Sequence, residues 1–124
     1  MAAFHAEPDI HKAVTGFCEA TVNLASGEAR GGCMMAAAAL GQSERVTEIR
    51  CYVAKGLTAT ADILAKRFER EMKAGRLTRT PSAKVRGRAL VDLMQGLQLR
   101  AKVGITREEL LEDARSYVPL ILGR

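Results

Sequence analysis

The chain has 124 residues, a formal net charge of +5 and 48% hydrophobic residues, with aromatics at only 4% and no tryptophan. That length suits one domain with a core of its own, and that composition excludes an intrinsically disordered chain. Three cysteines without a CxxC pair argue against a disulfide framework or a zinc knuckle, and no apolar run reaches the length of a membrane span.

The first predicted helix covers residues 9–25 and starts at Pro8-Asp9. Ile10, Val14, Phe17, Cys18, Thr21 and Leu24 recur at helical spacing on it. Ser26-Gly27 ends it, and Arg30-Gly31-Gly32 extends the break. A short helix over 33–40 follows, apolar on every side and therefore expected to be buried all round, with Gly41 as its stop. The third predicted helix covers 43–74. Ser43 is its cap, Glu44 sits near its N-terminus, and Val46, Ile49, Val53, Leu57, Thr60, Leu64 and Phe68 form its stripe.

Thr80-Pro81 opens the fourth helix, over 81–103, with proline at the first helical position. Its apolar seam is Leu90, Leu93, Met94, Leu97 and Ala101, and Gly87 and Gly96 leave room for a neighbouring backbone. The fifth covers 106–122. Thr106 and Glu109 read as a capping box, and Ile105 and Leu110 as its hydrophobic staple. Leu111, Ala114, Tyr117, Val118, Ile121 and Leu122 supply its apolar faces, and Pro119 predicts a kinked or frayed last turn. No segment alternates in the manner of a strand, so the fold class is all-α, a bundle of five helices.

Catalytic constellations are missing from this pattern. His5 and His11 are six apart, which is not a ligand spacing on one helical face. There is no Ser/His/Asp arrangement, Walker loop or GxGxxG, and Gly31-Gly32 before a helix is explained as well by a tight turn as by an anion site. The expectation is therefore no enzyme, no metal and no cofactor. The basic stretch Lys73, Arg76, Arg79, Lys84, Arg86 and Arg88 has no interleaved aromatic on which a base would stack. It reads as a solvated inter-helix loop, with a phosphate-binding patch as the alternative. The first eight residues lack the cationic start and apolar run of a signal peptide, and the cysteines sit in apolar or helical surroundings. A reducing cytoplasm is the expected compartment.

Four pieces, in order, resemble the C-terminal domain of the TetR family of transcriptional regulators, over about Ile10 to Leu122. Gly32-Cys33-Met34-Met35 is similar to the family's opening of a short helix, and Val53 to Leu77 to its long helix with a Gly-x-Leu stop. Asp92 to Gly104, with Gln95-Gly96-Leu97 at its centre, resembles the penultimate helix, and Thr106 to Leu122 the last. The family's N-terminal helix-turn-helix domain is not represented in these residues.

The resemblance implies an effector-sensing and dimerising domain, in most cases of a repressor released from DNA by a small apolar ligand. It implies a homodimer through the last two helices, and contact with DNA only through the N-terminal domain. A freestanding helical dimeric module is the alternative. Candidate dimer residues are Ala89, Leu93, Gly96 and Arg100 along one side of the fourth helix, and Tyr117, Leu120 and Ile121 on the fifth. Candidate effector contacts between the first three helices are Phe17, Cys18, Thr21, Met34, Met35 and Tyr52. Methionine adapts to varied apolar molecules, and the Tyr52 hydroxyl offers one orienting group. Filling of an ordinary core is the competing explanation for the same residues.

Overall fold

The computed structural model describes residues 1–27 and 46–124. Among these the fold is all-α, with five helices and no strand: α1 (Ala2–Ala6), α2 (Ile10–Ser26), α3 (Val46–Lys73), α4 (Ala83–Lys102) and α5 (Arg107–Leu122). The helix expected over 33–40, with Cys33, Met34, Met35 and Gly41, lies outside the described residues, as does the Ser43–Glu44 start of the third helix.

Local chemistry sets most boundaries. Asp9 caps α2 by accepting from the Lys12 amide at 3.0 Å. Ser82, not Pro81, opens α4, since its hydroxyl accepts from the Val85 amide at 3.2 Å. The expected start is thus two residues early: the serine supplies an acceptor for an orphan amide, which proline cannot do. Half of the expected capping box is present. The Thr106 hydroxyl accepts from the Glu109 amide at 3.3 Å, while the Glu109 carboxylate faces Arg100 at 3.9 Å. Ile105, expected to staple the helix start, packs on the core, and Leu110 is fully buried in it.

α4 is the central element, packed against α2, α3 and α5. α4 and α5 form an antiparallel pair: Arg100 meets Asp113 at one end, and Arg86 meets Ile121 and Leu122 at the other. α2 also runs antiparallel to α5, with Arg107 bonded to Asn23 and Arg115 to Glu19. The α3–α4 crossing is tight at Gly87. A Cβ there would fall onto the Ala61 carbonyl oxygen and lie 3.1 Å from the Ala65 amide nitrogen. Gly87 is what permits this approach. Among the described residues Gly96 has nothing within 4 Å of the equivalent position, so no close approach there depends on it.

The core joins Val14, Cys18, Val22, Leu64, Phe68, Leu90, Leu97, Leu110, Ala114, Val118 and Leu122. The predicted stripes largely match it, with two departures. Leu24 is 76% exposed, and Val22 and Ala25 take the buried positions at that end of α2. Ile49 is also exposed, so the buried stripe of α3 begins at Val53. All three phenylalanines of the chain act together: Phe4 meets Phe17 and Phe68 edge to face at 5.8 and 6.1 Å. They tie the short α1, absent from the sequence expectation, onto α2 and α3.

Candidate functional site

An apolar groove lies along the α4–α5 pair among the described residues. Val85, Ala89 and Leu93 succeed one another at every fourth position of α4, and Tyr117, Leu120 and Ile121 face the same way from α5. With Pro81 and Arg86 they line one groove of about 280 Å³. Val85 is 51% exposed and Leu120 72%, so water covers side chains that burial would favour. A contiguous patch of this kind is characteristic of an interaction surface.

Five of the seven expected dimer residues therefore line a single groove: Ala89, Leu93, Tyr117, Leu120 and Ile121. Gly96 and Arg100 continue the α4 row beyond it. Arg100 is committed within the chain, to Asp113 at 2.7 Å, an ion pair that raises its pKa and clamps α4 to α5 at the end of the groove.

Beneath the groove lies Arg86, which the basic stretch places in a solvated loop on sequence alone. Arg86 is completely buried. Its Nε donates to the Ile121 carbonyl at 3.0 Å, and Nη2 donates to the Leu122 carbonyl at 3.1 Å and the Thr80 carbonyl at 3.3 Å. Nη1 donates to the Thr78 carbonyl at 2.8 Å, and the Thr78 hydroxyl accepts from Nη2 at 3.1 Å. One guanidinium fork thus caps the C-terminus of α5 and fixes the α3–α4 loop. Burial lowers its pKa, and the carbonyl dipoles offset that cost. This also corrects the expected fraying at Pro119. The helix continues to Leu122 and ends on Gly123 at φ 73, because Arg86 holds the last two carbonyls.

A second buried cluster sits in the last turns of α3. Arg67 is 1% exposed and pairs with Glu71 at 2.9 Å. Its remaining donors take the Phe4 and Glu7 carbonyls, each at 2.6 Å, which closes the C-terminal end of α1. Glu71 is also bonded by Arg76, and the two arginines, Arg76 first, hold its carboxyl below the ordinary value. Within the basic stretch, then, Arg76 and Arg86 are structural, and Lys73, Arg79, Lys84 and Arg88 remain exposed. His5 is half-buried and His11 exposed, and no group of three metal-ligating side chains occurs among the described residues.

The expected effector contacts are not brought together in the described residues. Phe17 packs edge-on against Phe4. Cys18 is 2% exposed within the core, and burial pushes its thiol up to about 12, so it is a neutral packing group. The Thr21 hydroxyl is satisfied by the Phe17 carbonyl at 2.9 Å. Tyr52 is 68% exposed on α3, and Met34 and Met35 lie outside the described residues. No helix of the described residues is long and apolar enough to cross a membrane. Compared with known families, curated proteins and solved structures, the chain matches none.

Proposed function

We propose that the chain is the dimerising and effector-sensing domain of a TetR-type transcriptional regulator, pairing with a second copy through α4 and α5. The observation that carries this reading is the apolar groove between those two helices. Leu120 is 72% exposed at a groove that the small Ala89 also lines, so one patch offers both a knob and a hole. A two-fold interface needs that self-complementarity, since each copy presents the same surface. The helices are 20 and 16 residues long, or roughly 30 and 24 Å, enough to build a four-helix junction of ordinary interface size.

In this reading a small apolar effector alters the spacing of two DNA-reading heads carried by the preceding domain. The coupling requires the effector to bind two states of the dimer with different affinity. The reduced thiols of Cys18 and Cys51 are in keeping with a cytoplasmic protein. A freestanding dimeric module shares the same groove, and an in-frame helix-turn-helix in the sequence preceding Met1 separates the two readings.

Leu120→Glu tests the interface. The side chain is 72% exposed in the single chain, so the change leaves the fold intact, but it buries a carboxylate in the dimer. The variant is expected to elute as a monomer with unchanged helical circular dichroism. A variant that stays dimeric removes this groove as the interface.

A further inference from the structure

The geometry points to a binding site for a short zwitterion of dipeptide size in the groove between α3 and α4, on the flank of α4 away from the dimer face. The site is separate from the dimer groove and holds or fails without it. Past the tight contact at Gly87 the two helices leave a cleft of about 250 Å³. Its apolar lining comes from Leu57, Ala61 and Val91. Lys84 and Arg88 stand one turn apart at one end, and Asp62 and Asp92 stand beside them from opposite helices.

All four charged residues are exposed, and among the described residues none of them forms an ion pair. Two cations and two anions around an apolar floor match a molecule that carries one charge of each sign. At the far end is Gln95, whose Nε2 is buried and has no acceptor among the described residues. A buried donor without a partner is unfavourable, and a ligand that supplies an acceptor removes that cost.

From Arg88 to Gln95 the helix rises roughly 10 Å, which sets the ligand's length. A dipeptide fits these terms. Its carboxylate faces Lys84 and Arg88, its ammonium Asp62 and Asp92, its apolar side chain the floor, and a carbonyl oxygen reaches Gln95.

The probe is leucyl-alanine, titrated into the ¹⁵N-labelled full chain and followed by amide shifts. Saturable shifts are expected in α3 and α4 around Ala61 and Val91. The N-acetylated and C-amidated dipeptides, each lacking one charge, are expected to bind at least about tenfold more weakly. Arg88→Glu is expected to abolish the preference for the free carboxylate, and Gln95→Leu to weaken binding while the melting temperature is kept or raised. An absence of saturable shifts in the groove, or equal binding of the free and blocked dipeptides, overturns the site.

Discussion

Two buried arginines organise this molecule at the scale of single residues. Arg86 commits all three nitrogens of its guanidinium to α5's last carbonyls and the α3–α4 loop. Arg86→Met fills similar space but leaves those carbonyls buried and unpaired, at ~1–3 kcal/mol for each that water cannot reach. The expected loss is at least ~3 kcal/mol, or a fall in Tm of about 10 °C. Arg86→Lys is expected to recover less than half, because a point charge cannot span both ends of the fork. Full stability in the lysine variant would reduce Arg86 to a charge.

Glu71 gives the fold an acid limb. Its carboxyl is depressed by Arg76 and Arg67 below the ordinary 4.5. Such a group contributes stability at pH above 4.5, and the contribution is lost as pH falls through the folded-state value. The urea midpoint is expected to drop between neutral pH and about pH 3, and Glu71→Gln to be less stable at neutral pH with a smaller drop. An equal drop in both proteins would place the acid limb elsewhere.

At the scale of elements, the contact between α3 and α4 depends on one missing methyl group. Gly87→Ala gains ~1 kcal/mol of helix propensity but puts a Cβ onto the Ala61 carbonyl, a backbone atom that cannot rotate away. Net destabilisation of ~2 kcal/mol or more is expected. Gly16 has nothing within 4 Å and lies exposed within α2, so Gly16→Ala is expected to stabilise by ~0.5–1 kcal/mol. Thermal melts of the two variants should move in opposite directions. A shared direction would mean that propensity, not the crossing, governs both sites.

The helices of the described residues were legible because their apolar spacing and caps agree. α1 was not: five residues are too few for a period, and it is held by Phe4 and by Arg67, which lies 63 positions from the carbonyl it grips. The buried charges were hidden by a rule that reads arginine as surface. Their positions carried a signal all the same. Arg86 lies in the row Ala83, Gly87, Leu90, and Arg67 and Glu71 continue the row of Leu64 and Phe68, where solvated charges do not belong. The residues expected at a dimer interface rest on the same periodicity: Ala89 and Leu93 flank the buried Leu90 and Leu97, pack on the edge of the core and line the apolar groove. The expected effector contacts rest on side-chain type, and type alone does not separate a pocket wall from a packed core: Cys18 is buried in the core and Phe17 packs on Phe4.

At the scale of the whole molecule, the described helices close one core and leave one long apolar strip uncovered on α4 and α5. In the proposed dimer, burying Val85, Leu93, Tyr117 and Leu120 against their own copies would remove that strip from water, with the Arg100–Asp113 pair at its rim. The most direct measurement is the solution mass of the unmodified chain by light scattering across micromolar concentrations. The account predicts twice the 13.4 kDa of one chain, falling to 13.4 kDa for Leu120→Glu. A mass of 13.4 kDa for the unmodified chain throughout that range would contradict it.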